Sequence, residues 1–130
     1  MIKQVGGIIF NYDYEYILVQ IKDEKYQAYL PIVDLHERYN PLIYIMKGYH
    51  DDFGKQLTCW DHIINYDEID YYTIVTNLDE IWDNLSSEYD VININDINNV
   101  NCDDSLKWLI YLSLDSKIRN KKIIQNEEKR

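Results

Sequence analysis

The chain has 130 residues, 46% of them hydrophobic, with 23 acids against 13 bases for a formal net charge of -10, which suits one domain with an ordinary buried core. No run approaches the ~18 apolar residues of a membrane span, the opening MIKQVGGIIF enters a strand pattern without a signal-peptide cleavage site, and the acidic balance argues against broad contact with a nucleic-acid backbone. The two cysteines, Cys59 and Cys102, lie far apart and outside any CxxC pattern, so reduced thiols and a cytoplasmic setting are expected, a host's cytoplasm if the source is a virus or phage.

Val5–Phe10 and Tyr14–Ile21 read as two strands around the loop Asn11-Tyr12-Asp13. Tyr26–Leu30 reads as a third, ending at Pro31, and a loop with Asp34, His36, Glu37 and Arg38 follows. Asn40-Pro41 then opens a helix, with Asn as N-cap and Pro at the first position, where a missing N–H costs nothing. Leu42, Ile45, Met46, Tyr49 and Phe53 recur at helical spacing as its inward stripe, and Gly54 ends it. Strands are expected over Gln56–Ile64 and Ile69–Thr76, around the turn Asn65-Tyr66-Asp67-Glu68.

Asn77 can cap a second helix over Leu78–Glu88, with Leu78, Ile81, Trp82 and Leu85 inward. Val91–Ile94 makes another strand. Asp104 or Ser105 caps a third helix to about Ile118, with Asp103 beside them also of capping type and Leu106, Leu109, Ile110, Ser113 and Leu114 inward. The order β-β-β-α-β-β-α-β-α predicts an α+β fold, a mixed sheet covered on both faces by about three helices. One domain over 1–118 and a polar, fraying tail over 119–130 are expected.

Composition and charge are both uneven. Twenty Ile, 13 Tyr and 12 Asn stand against one Ala, a bias of the kind an AT-rich genome imposes, so the tyrosine excess carries little functional weight. Residues 1–50 have six acids and five bases, residues 51–104 fourteen acids and one base, and residues 105–130 three acids and seven bases. The acidic 51–104 block keeps the chain soluble. It also suits an inhibitor or adaptor that meets a basic protein, or one that mimics nucleic acid in a partner's groove.

Asp51 and Asp52 are adjacent acids near the end of the first helix, a weak metal signal when taken alone. His50 beside them can complete such a site, but a lone His on a polar face is usually just solvated. Trp60, Trp82 and Trp108 can stack a base, although tryptophan more often fills a core. Cys59 has no basic neighbour in its strand and is expected to be inert. Gly6-Gly7 lies within a strand and matches no phosphate-loop fingerprint.

The segment PLIYIMKGYHDDFG, Pro41 to Gly54, resembles the signature of the Nudix hydrolases, G-x5-E-x7-R-E-U-x-E-E-x-G-U, with U a bulky aliphatic residue. In that register Lys47 falls on the Arg, Gly48 on the first helix Glu, Tyr49 on the apolar position and Gly54 on the closing Gly. Asp51 and Asp52 fall on the Glu-Glu pair, Val33 on the first Gly and Tyr39 on the first Glu. VGGIIF followed by YILVQI is similar to the family's opening hairpin. The resemblance implies a Nudix-like α/β/α sandwich and, for an intact box over Val33–Lys55, helix carboxylates that hold Mg²⁺ or Mn²⁺ against a nucleoside diphosphate derivative. On that reading Asp51 and Asp52 are the metal-binding and catalytic residues, with Glu37, Lys47, His50 and Glu68 as accessories, and a homodimer is compatible.

The departures weigh against efficient hydrolysis. Gly48 supplies no carboxylate, and Asp51 and Asp52 are each a methylene shorter than Glu. Lys47 lacks the bidentate fork of Arg and can instead pair with Asp51 four residues on. The expectation is a decayed box on a Nudix-like scaffold, serving as a nucleotide-binding or regulatory, protein-binding module. A weak, divergent pyrophosphohydrolase is the alternative, with Glu37 or Glu68 supplying the missing carboxylate.

Overall fold

The computed structural model describes residues 4–31, 40–57 and 59–115. Among them the chain forms β1 (Val5–Phe10), β2 (Tyr16–Lys22), β3 (Lys25–Gln27), α1 (Pro41–Phe53), β4 (Cys59–Tyr66), β5 (Ile69–Val75), α2 (Asp79–Trp82) and β6 (Tyr89–Asn93), then a third helix, α3, over 104–115. The element order is the predicted one. The sheet runs β3-β2-β1-β5-β4, with β6 also paired to β2. β1 and β5 are parallel, while β2 is antiparallel to β1, β3 and β6 and β4 is antiparallel to β5.

Strand alternation divides the core into two layers. Val5, Ile9, Leu18, Tyr72, Ile74 and Val91 face Tyr44, Ile45 and Tyr49 of α1 together with Leu78 and Ile81 around α2. Ile8, Phe10, Ile17, Val19, Tyr71 and Ile92 face Leu106, Leu109 and Ile110 of α3. β1 is buried along its whole length, as expected of a strand with a neighbour on each side and a helix over each face.

Local chemistry sets the ends. Asn40 Oδ1 accepts the Leu42 N–H at 3.0 Å, Pro41 is the first helical residue, and Gly54 closes α1 at φ 72° with its N–H on the His50 carbonyl. Both two-residue hairpin turns use the same dipeptide at positive φ, Asp23-Glu24 (52°, 65°) and Asp67-Glu68 (52°, 64°). That geometry matches the right-handed twist of the strands it joins.

Several expectations are corrected. α2 is one turn long rather than reaching Glu88, because Asp83, Asn84, Ser86 and Ser87 favour turns over helix interiors; Asn77 does accept the Asp79 N–H, at 3.1 Å. Of the capping candidates at the start of α3, Asp103 is the one used, ahead of Asp104 and Ser105, accepting both the N–H and the hydroxyl of Ser105. On α1 the inward face is turned from the predicted stripe: Met46 is exposed, and Tyr44 and Gly48 are buried. Trp60, Trp82 and Trp108 stand at 50%, 37% and 57% exposure, so none fills the core. β2, β3, β4 and β6 are each shifted by one to three residues at both ends relative to the sequence reading, and β5 stops one residue early. The expected tail over 119–130 lies outside the described residues.

Candidate functional site

The candidate site is the C-terminal half of α1. An α-helix places residues i, i+3 and i+4 on one side, so Gly48, Asp51 and Asp52 share a flank. Gly48 is buried against Pro31. A Cβ added there would lie 2.6 Å from the Pro31 Cβ and 3.3 Å from the Tyr29 hydroxyl oxygen. A rigid proline ring cannot yield as the end of a flexible side chain would, so a carboxylate-bearing residue has no room at position 48.

Asp52 lies next to that contact. Its Oδ2 accepts a hydrogen bond from the fully buried Tyr29 hydroxyl and a second from the Tyr89 hydroxyl at 3.3 Å. Tyr29 is anchored by a Gly7–Tyr29 bridge to β1 and Tyr89 by pairing of β6 with Gln20 of β2, so three separate elements converge on one carboxylate. The rings pack with Phe53 and Tyr49 into an aromatic cluster with centroid separations of 4.8 to 6.4 Å. Two phenol donors offset the unfavourable placing of an anion at a helix C-terminus.

The phenols feel this environment. Burial, then the hydrogen bond to Asp52, pushes the Tyr29 hydroxyl far above its ordinary range. Burial, then the Asp52 charge and hydrogen bond, pushes Tyr89 up to about 12. Tyr49 also rises to about 12, mainly through burial and then through the Glu80 charge. All three stay protonated at neutral pH, and Tyr29 and Tyr89 serve as donors toward the carboxylate.

The other sequence candidates are dispersed. Asp51 is exposed, with the exposed His50 imidazole Nδ1 at 3.9 Å; among the described residues Lys47 does not pair with it. Glu68 sits on the β4–β5 turn. Glu37, with Val33 and Tyr39, lies outside the described residues. Among the described residues no group of three His, Cys, Asp or Glu side chains is placed to hold a metal ion. The described part of the box therefore does not fit the divalent cation that the family resemblance implies: one carboxylate position is filled by a proline contact and another carboxylate is committed to tyrosines. Burial raises the Cys102 thiol, and no described helix is long and apolar enough to cross a membrane.

Sequence reading missed Tyr29, Pro31 and Tyr89 as site residues. Pro31 was legible as the end of the third strand, but its packing against Gly48 joins residues 17 apart and needs the fold.

No family model and no curated protein sequence matches the chain. Solved structures do match in fold. A MutT structure from a study of Aliivibrio salmonicida and Vibrio cholerae superposes with a TM-score of 0.55 at 16% identity, covering 85% of this chain and 94% of that one. A Nudix-family hydrolase from Clostridium perfringens gives 0.56 at 11% identity, covering 86% and 95%. The Ap4A hydrolase of C. elegans gives 0.58 at 11%, covering 91% and 98%. A chain from the complex of the C-terminal domain of mouse MUTYH with human PCNA gives 0.64 at 9%, covering 90% of each. The fold is Nudix-like. At such identities the likeness defines the scaffold and leaves the activity to the residues.

Proposed function

We propose that the protein is a binding or regulatory module on a Nudix-like scaffold, with the site of metal-dependent hydrolysis rebuilt as a tyrosine–aspartate hydrogen-bond cluster. The observation that carries this reading is the Gly48–Pro31 contact beside an Asp52 held by Tyr29 and Tyr89. A shared divalent cation needs several carboxylate oxygens free to converge. Here one carboxylate is replaced by close packing and a second already accepts two hydrogen bonds. A neighbour of this fold drawn from a complex between two proteins is in keeping with a binding role.

The test is hydrolysis of a panel of nucleoside diphosphate derivatives, including diadenosine tetraphosphate, with Mg²⁺ or Mn²⁺. Wild type is run beside the Asp51→Ala/Asp52→Ala double variant and Gly48→Glu. Wild type is expected to match the double variant. Gly48→Glu is expected to lose stability without gaining turnover, since its Cβ meets Pro31. Metal-dependent turnover in wild type that the double variant lacks overturns the proposal and restores the hydrolase reading, with Asp51, Asp52 and Glu37 or Glu68 as its ligands.

A further inference from the structure

Trp60 and Ile63 are three residues apart on β4, and strict alternation would send them to opposite faces. They share one face because β4 carries an irregularity between them. Trp60 is registered with Ile74 and Ile63 with Tyr72, so 61 and 62 together oppose Thr73. Buried Thr73 fixes this bulge: its hydroxyl accepts the His62 N–H at 3.0 Å, lies 3.0 Å from His62 Nδ1 and donates to the His62 carbonyl at 3.1 Å.

The outcome is an apolar face on the α1 side of the sheet edge. Trp60 is 50% exposed and Ile63 49%. The Trp60 ring meets Tyr72 edge-on at 5.7 Å, and the Tyr72 hydroxyl reaches Asn40 Oδ1 at 3.5 Å. Among the described residues β4 has β5 as its one strand neighbour. The bulge breaks its outer ladder, which blunts the edge against strand addition and leaves the side-chain face as the accessible feature.

Charge selects what this face takes. Residues 59–83, spanning β4, β5 and α2, contain seven acids (Asp61, Asp67, Glu68, Asp70, Asp79, Glu80 and Asp83) and no Lys or Arg. An anionic phosphate is repelled by such a stretch. A second copy that set the same face against this one would bring seven more acids and is also disfavoured. A cation flanking an apolar anchor is attracted, and Arg or Lys can also lie over the exposed indole face.

We propose that Trp60 and Ile63, with the buried Tyr72 ring supporting the indole from beneath, form a docking surface for a basic segment of a partner protein that carries a bulky apolar anchor. The proposal rests on the binding-module reading and names its surface. The test is selection of a random-peptide phage library on the immobilised full chain, followed by anisotropy titration of the enriched peptides. Wild type is compared with Trp60→Ala, Ile63→Ser and Asp51→Ala/Asp52→Ala, each checked for native circular dichroism.

Enriched peptides should combine Arg or Lys with a large apolar residue. They should bind Trp60→Ala about tenfold or more weakly and weaken as salt rises to about 0.15 M. No enrichment, enrichment of acidic peptides, or equal binding to folded Trp60→Ala and Ile63→Ser overturns the proposal. So does a dimer dispersed by Trp60→Ala, which assigns the face to a second copy, or a nucleotide-induced thermal shift lost with Trp60→Ala, which assigns it to a base. Failure of the module reading is seen separately, as turnover lost in Asp51→Ala/Asp52→Ala.

Discussion

Asp52 separates two chemistries that a sequence motif cannot distinguish. If Asp51 and Asp52 were poised to share a cation, their repulsion without metal would make Asp52→Ala neutral or stabilising. In the observed arrangement Asp52 accepts from Tyr29, a fully buried residue. Removing that acceptor strands a buried hydroxyl, a loss of about 1–3 kcal/mol. Urea unfolding of Asp52→Ala without metal should show a destabilisation in that range, and Asp52→Asn, which keeps an acceptor, a smaller one. An Asp52→Ala variant at least as stable as wild type contradicts the hydrogen-bond role. Gly48 and the acidic pair were legible from the register of the box. Their partners were not, since Tyr29 is one of 13 tyrosines in a biased composition and its role comes from a long-range contact.

Among the elements, those with explicit chemical punctuation were read most accurately. Asn40-Pro41 and Gly54 bound α1 where predicted, and β1 has its predicted limits. The inward face of α1 was misjudged because hydropathy gives weight to Met46 and none to Gly48, whereas a close approach to Pro31 requires the residue without a side chain. α2 was overextended because Leu85 continues an apolar spacing across Asp83 and Asn84, where the helix has already ended. The bulge in β4 has no sequence signal, being set by the Thr73 hydroxyl across the strand pair. The hairpin turns support a prediction of their own. Glu24 and Glu68 occupy left-handed backbone (φ 65° and 64°), which costs an L-residue roughly 1–2 kcal/mol. Glu24→Gly removes that strain at some cost in chain entropy, so a net gain of about 0.5–1 kcal/mol in urea unfolding is expected. Glu68→Gly should do the same in urea unfolding.

For the whole molecule, the layers followed from element order, whereas the distribution of tyrosines between core and surface did not. Tyr29, Tyr49 and Tyr71 are buried, and burial is the leading cause that raises each phenol, Tyr49 and Tyr71 to about 12 and Tyr29 further. Tyr89 reaches about 12 as well, and Tyr26 and Tyr72 are also raised, Tyr26 chiefly by its hydrogen bond to Asp90. In the unfolded chain each would ionise near pH 10. Between pH 10 and about 12 the unfolded state therefore binds fewer protons than the native one. Stability from these groups is fully present below pH 10 and is lost as pH rises through that window. Phenolate absorbance and circular dichroism, followed together through an alkaline titration, should show these buried tyrosines ionising in one cooperative step with loss of structure above pH 10. Tyrosines that all titrate smoothly near pH 10 while the dichroism stays native would mean that the phenols are open to solvent, and the cluster around Asp52 would have to be redrawn.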